Sequence, residues 1–335
     1  MISKTIAVVL SYAMKRTASL LSLLLIVSVF SASTEAFDGP LQVKNQFPLF
    51  LNVNAPYLES ASIEDSFSAS LSHSSIYLVD NSAEWDIGLD MEITELNLRF
   101  RKSINNFIAL GVEVPILSFN SGFMDGFLNS YHNAFGFPDY GRSNRPDNDF
   151  LYEVKRNGAV VVSGESGRIA IGDIKLAIKK SLLTGDPAIS IKGEIELPSG
   201  DSKTGCGNGS IDTGIGLLMN KKIGEAWKTY LNLGVVFPGD LKGHERVNLR
   251  DYLYGAAAIE AALWKTVSLL AQVFIQGSPF PETGIASVDR TAVLLSLGGR
   301  YQSGNSSFEL SLTEDPNTSG APDVALNFTF KRIIQ

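Results

Sequence analysis

From Asp323 to Lys331 the apolar side chains Val324, Leu326, Phe328 and Phe330 alternate one for one with Asp323, Ala325, Asn327, Thr329 and Lys331. Successive side chains of a strand point to opposite faces, whereas a helix scatters such a pattern around its circumference. The segment therefore reads as a strand with one apolar and one polar face. Phe308, Leu310 and Leu312 alternate in the same way with Ser307, Glu309, Ser311 and Thr313, and the apolar set between Ile189 and Leu197 alternates with Ser190, Lys192, Glu194 and Glu196.

This signal recurs from Ser66 to Leu78, Trp85 to Phe100, Phe107 to Leu117, Ile169 to Lys180, Ala188 to Leu197 and Ile211 to Ile223. It continues from Ala226 to Phe237, Leu249 to Trp264, Val267 to Ser278, Ala292 to Gln302, Ser306 to Thr313 and Asp323 to Lys331. In the second segment the apolar parity shifts between Ile93 and Leu96, which suggests a β-bulge or a slipped strand boundary. Short connections (Ser103 to Asn106, Ser181 to Pro187, Gly224-Glu225, Lys265-Thr266, Ser303 to Asn305) alternate with mostly longer ones, of which Ser118 to Arg168 is the longest. A soluble sandwich has no reason to sort its loops by parity. The expectation is an all-β, antiparallel transmembrane β-barrel of about twelve strands, with long extracellular loops and short periplasmic turns.

Composition fits a wall in which only alternate residues meet lipid: 44% of residues are hydrophobic and the mean hydropathy is +0.10. Lys15 and Arg16, the apolar run Leu20 to Phe30 and the small, polar stretch to Ala36 read as a signal peptide over residues 1–36, cut after Ala36 or after Ser33. Met14 offers an alternative start. A lead segment, 37–65, then precedes the barrel, 66–335; it enters the lumen as a plug or lies along the periplasmic rim. The expected location is the bacterial outer membrane, after export through the inner membrane. Expected partners are outer-membrane lipids, lipopolysaccharide, the barrel-assembly machinery and a small solute. With 28 basic and 35 acidic residues and no basic cluster, nucleic acid is a poor fit. The single cysteine, Cys206, precludes an internal disulfide.

Trp85, Trp227, Trp264, Phe100, Phe107, Tyr252 and Tyr301 fall at strand ends, where aromatic girdles are expected. The Ala-rich stretch Tyr252 to Gln276 has helical propensity, but a spanning helix would bury Glu260 and Lys265 in hydrocarbon at roughly 2.5 to 3.5 kcal/mol each. Two strands meeting at Trp264-Lys265 turn Glu260 toward the lumen instead.

In the longest loop Phe123, Phe127, Tyr131 and Phe135 recur every four residues, a helical stripe. It reads either as a structural plug or as a solute-contacting constriction, with Asp125, Asn129 and His132 on other faces. Arg142 and Arg145 could bind an anion or a lipopolysaccharide phosphate, or pair with nearby aspartates. Lumen-facing charges are expected at Asp86, Asp90, Glu92, Glu113, Asp173, Lys175, Lys179, Lys192, Glu194, Glu196, Glu260, Arg300 and Glu309. His73 and Ser75 share a strand face, as a lipid hydrolase would require, but the sequence offers no obvious third group to orient the histidine. No catalytic residue, cofactor or metal site is expected, and the Gly-rich stretch Asp201 to Asp212 reads as a flexible surface loop.

The stretches Asn45-Gln46-Phe47-Pro48-Leu49-Phe50, Ser121 to Phe127 with Ser130-Tyr131-His132 and Phe135-Gly136, Leu197-Pro198-Ser199-Gly200-Asp201 and Phe237-Pro238-Gly239-Asp240 resemble a bacterial domain family of unknown function, number 3187. The resemblance implies an outer-membrane-barrel-like protein and carries no catalytic or binding residue with it. The reading is a passive channel or binding protein for a small solute; a closed structural or surface-interaction barrel and a lipid-modifying enzyme are the alternatives.

Overall fold

The computed structural model describes residues 38–334, apart from 127, 129 and 131–140. The signal-peptide segment lies outside the described residues. In chain order the strands begin with β1 (Ser66–Asn81), β2 (Trp85–Asn105), β3 (Ile108–Asn120), β4 (Leu151–Arg156), β5 (Ala159–Ser163) and β6 (Ile169–Ile171). Next come β7 (Ile174–Leu183), β8 (Ala188–Leu197), β9 (Asp212–Ile223), β10 (Trp227–Phe237), β11 (Leu241–Lys242) and β12 (Arg246–Val247). The last are β13 (Tyr252–Trp264), β14 (Val267–Gln276), β15 (Ala292–Ser303), β16 (Ser306–Glu314) and β17 (Val324–Ile333). Two one-turn helices, α1 (Pro48–Leu51) and α2 (Ala286–Asp289), lie in the lead and in a long loop.

The order β1-β2-β3-β7-β8-β9-β10-β13-β14-β15-β16-β17 runs antiparallel throughout, and β17 pairs back on β1 from Ser66 opposite Ile333 to Ser75 opposite Val324. This is a closed twelve-stranded barrel. Closure matters because a sheet edge left in lipid would expose unpaired backbone groups. The β4–β5 hairpin extends β2 at the long-loop end, where Trp85 to Asp90 pair with Arg156 to Leu151. The Ala-rich stretch forms two strands, β13 and β14, with a register shift between Ala262 and Trp264. At the β15–β16 turn Gly304 takes φ +57°, the left-handed backbone a two-residue hairpin needs.

Polarity is inside out. On β17 Leu326 and Phe328 are 49% and 46% exposed, while Asn327 and Thr329 are each 2% exposed. The barrel presents its apolar face outward, as a wall facing hydrocarbon must.

The interior changes character along its length. Toward the short turns it is lined by polar groups such as Glu95, Asn97 and Arg99 of β2. Toward the long loops the same face of β2 carries Trp85, Ile87, Leu89, Met91 and Ile93, packed with Phe47, Leu49, Phe50, Tyr152, Phe280 and Val288 in one apolar core. The parity shift in β2 is therefore no bulge: its register with β1 is unbroken from Asp86 to Arg101. What inverts is the polarity of the lumen, because loops and lead fill the outer half with apolar side chains. For the same reason Trp85, 2% exposed, and Tyr252, 3% exposed, stand inside and not in a girdle, whereas Trp264 and Tyr301 are exposed at the short-turn end.

Candidate functional site: the occupied lumen

The lead enters the lumen. Its first described residue, Asp38, sits at the short-turn end, where an Oδ atom lies 2.7 Å from Lys331 Nζ and the Ser307 hydroxyl donates to the carboxylate at 2.6 Å. The rising arm places Lys44 Nζ 2.6 Å from Glu95 and 3.4 Å from Glu113. The apex is α1, begun by Pro48, whose fixed φ suits the first helical turn. There Phe50 packs against Gly320, at which any Cβ would fall 2.3 Å from the Phe50 ring.

Asn54, at φ +47°, helps turn the chain back. On the descending arm the Asn54 amide donates to Glu196 at 2.6 Å, and Lys175 donates to the Ala55 carbonyl at 2.9 Å. Asn232 clamps the backbone of Glu59, accepting from its amide at 2.8 Å and donating to its carbonyl at 3.0 Å. The arm leaves the lumen at Asp65, whose carboxyl is held down at about 2 by Lys102 and Ser103. Both ends of the lead are thus at the short-turn end.

Among the described residues, the lead's backbone bridge is internal, Lys44 to Tyr57, and it forms no ladder with the wall. Buried backbone groups need partners, and wall side chains supply them. The side chain of Glu59 is the focus of the descending arm. One oxygen lies 2.5 Å from Arg101 and 3.2 Å from Lys179, and the other lies 2.9 Å from Lys192. The Tyr57 ring lies under the Arg99 guanidinium, 4.1 Å from its centroid. Across the lumen Arg300 bridges Glu260 and Glu309 and donates to the Gly39 carbonyl, while the Tyr230 hydroxyl donates to Glu260 at 2.6 Å.

Of the charges expected in the lumen, Glu113, Lys192, Glu194, Glu260 and Arg300 are there, with Lys175, Lys179, Glu196 and Glu309. Asp90 and Glu92 are not. Both lie on the outer face of β2, in line with Leu96 and Leu98, and Asp86 on that face is exposed. Their burial comes from the long loop, which crosses the outside of the barrel here. Glu92 accepts from the Phe123 amide at 2.7 Å and from the Met124 amide. Arg145 lies 2.6 Å from both Asp90 and Asp149, and Arg142 bridges Asp125 and Asp323. Both arginines are thus engaged by carboxylates. Phe123, 73% exposed, stacks on His73 outside the barrel and lines no lumen. Phe127, Asn129, Tyr131, His132 and Phe135 lie outside the described residues.

A third group does orient His73. Its Nε2 is 2.7 Å from Glu92 and its Nδ1 is 2.9 Å from Thr94 Oγ1, so both ring nitrogens are engaged by groups other than Ser75. The pairing of Glu92 with His73 was not legible in the sequence because the two sit nineteen positions apart, across the β1–β2 hairpin. The stretch Asp201 to Asp212 is also packed: Cys206 and Asn208 are buried, and Asp173 accepts from the Gly200 and Asn208 amides at 2.8 and 2.9 Å.

The family profile for proteins of unknown function DUF3187 matches residues 17–332. The chain belongs to the DUF3187 family. No curated relative matches its sequence. Among solved structures, this DUF3187 chain is similar to the COG4313 outer membrane channel from Pseudomonas putida F1, at 13% identity and a TM-score of 0.55, over 85% of this chain and 98% of that one. It also aligns with the P. putida toluene transporter TodX at 10% identity and a TM-score of 0.41, over 91% and 96% of the two chains, too loosely to bear on the argument. At such identities the likeness speaks for the fold: this DUF3187 member has the architecture of an outer-membrane channel.

Proposed function

We propose that this protein is an outer-membrane channel for a small solute, closed at rest by its own lead, with passage by diffusion and no energy source. The observation that carries the reading is the manner of closure. A barrel of about twelve strands is too wide for its own side chains to fill, whereas eight strands suffice for that. Here the filling is a separate segment, tied to the wall by side-chain hydrogen bonds and ion pairs and by no strand pairing. Such an insert can shift without unpairing the barrel, and the wall behind it is polar enough to hold water.

The alternative is a closed structural barrel, favoured by the apolar core that the lead and loops form at the long-loop end. A lipid-modifying enzyme built on His73 and Ser75 is disfavoured, because the imidazole is committed to Glu92 and Thr94. Single-channel recording of the refolded chain in planar bilayers decides between the first two. Discrete current steps over a voltage ramp support the channel. Silence from a barrel shown to be folded leaves the structural reading.

A further inference from the structure

The lumenal wall near Glu59 carries more positive than negative charge. Arg101 of β2, Lys179 of β7 and Lys192 of β8 converge from three strands on this one carboxylate. The nearest wall carboxylate is Glu194, 2.8 Å from Lys192, and the neighbouring Arg99 is matched by Glu113. With Glu59 in place the three cations have Glu59 and Glu194 in direct contact, while Glu64, farther off, is taken up by Lys331 at 2.7 Å. Without it only Glu194 remains in contact, in a site where Lys179 and Lys192 are buried and Arg101 mostly so, and an unpaired buried charge is costly.

The carboxylate that balances this wall is delivered by the lead, the segment that has no ladder with the barrel. Both of its oxygens are engaged, one by Arg101 and Lys179 and the other by Lys192, as a free carboxylate's would be. Beside it lies an unfilled void of about 20 Å³, bounded by Tyr57, Arg99, Arg101, Glu113, Lys175 and Glu194. We propose that Arg101, Lys179 and Lys192 form a binding site for the carboxylate group of a small solute, and that Glu59 occupies it as a built-in stand-in.

The proposal deepens the channel reading, in that it names the solute class for which the wall is charged. A carboxylate arriving in the lumen would replace Glu59 on the same three cations. Exchange of one carboxylate for another leaves the buried charges paired throughout, so the lead can give way without stranding them. Arg101 supplies one directional donor, Nη2, which it shares with the Tyr57 hydroxyl at 2.8 Å, and the two lysines supply point charges, a combination suited to a carboxylate.

The test is chemical rescue in the full-length protein. Glu59→Ala removes the stand-in, and thermal unfolding in detergent is followed with sodium acetate against sodium chloride at equal ionic strength. Acetate is expected to raise the unfolding midpoint of the variant saturably and beyond chloride, to leave the wild type unmoved, and to lose its effect when Arg101→Gln is added. Should Glu59→Ala not fold, Glu59→Gln replaces it. In the wild type, acetate competing with Glu59 should lower hydrogen-exchange protection of the lead's amides, which chloride should not.

The same variant is recorded in bilayers, where an anion-preferring current reduced by acetate is expected. If acetate acts no differently from chloride on the variant and on wild-type exchange, the carboxylate site is overturned, whatever current flows. If acetate rescues stability and no current appears, the site stands and the channel reading falls.

Discussion

Lys44 Nζ and a Glu95 carboxylate oxygen lie 2.6 Å apart inside the barrel, both side chains shielded from water. This pair fastens the rising arm of the lead to β2. Lys44→Ala would leave Glu95 without its cation, held by the Gln46 and Asn97 side-chain amides, and would loosen Glu113; breaking a buried pair from one side costs about 3 to 5 kcal/mol. Lys44→Met combined with Glu95→Gln should lose less than Lys44→Ala alone, because no charge is left without a partner. Denaturant unfolding in detergent measures both; equal losses would show that the pair does not fasten the lead.

Trp85 and Trp264 read alike in the sequence but stand on opposite sides of the wall. Trp85 packs edge-on to Phe280 with ring centroids 6.2 Å apart, inside the apolar core, whereas Trp264 is exposed near the β13–β14 turn. Trp85→Ala is expected to cost about 3 to 5 kcal/mol. Trp264→Ala, which empties no core, should stay within about 1 kcal/mol. Unfolding of the two variants in lipid would contradict the described interior if the order were reversed.

That contrast also marks where the sequence stopped being legible. Period-2 alternation placed the strands, because lipid imposes an apolar outer face on β17, β16 and β8 whatever lies within. The lumenal face has no such uniform rule: its polarity depends on what fills it. Glu113, Lys192, Glu194, Glu260 and Arg300 were readable because water-like or charged partners meet them. On β2, Ile87 to Ile93 face loops and lead while Asp90 and Glu92 lie under the long loop, so polarity named the wrong face. Glu59 went unnoticed as well, since nothing local in the lead shows that three cations from separate strands gather around it.

Arg142 bridges Asp125 and Asp323, holding the long loop to the mouth of β17. Arg142→Ala removes the cation that Asp125 and Asp323 share. At a cost of about 3 kcal/mol, the loop's open population rises roughly a hundredfold. Limited proteolysis between Gly141 and Phe150 should accelerate accordingly while the barrel stays resistant. An unchanged cleavage rate would show that other contacts seat the loop.

Burial pushes the Asp315 carboxyl, in the β16–β17 loop, up to about 6 from its usual 3.8, against the opposing hydrogen bonds from the Asn317 and Ser319 amides. Between about pH 4 and 6 the folded loop holds a proton that the unfolded chain has released, so its stability falls as pH rises through that window and is lowest above it. Hydrogen-exchange protection of residues 315–323, corrected for the intrinsic exchange rate, should therefore be greater at pH 5 than at pH 7. In Asp315→Asn the difference should shrink; a persistent pH effect would assign it to another group.

Because the lead rises from the short-turn end and returns to it, its two limbs form a bight within the barrel, with α1 at the far end. Its covalent join to β1 lets it slip but not leave, like a stopper on a lanyard. Pressure on α1 from the long-loop side drives the bight along its own axis, toward the side on which it is covalently moored. A pull on either limb does the same. On the channel reading proposed above, opening by force would run one way and re-closing would need no search, since the displaced segment would remain within its own length of the mouth.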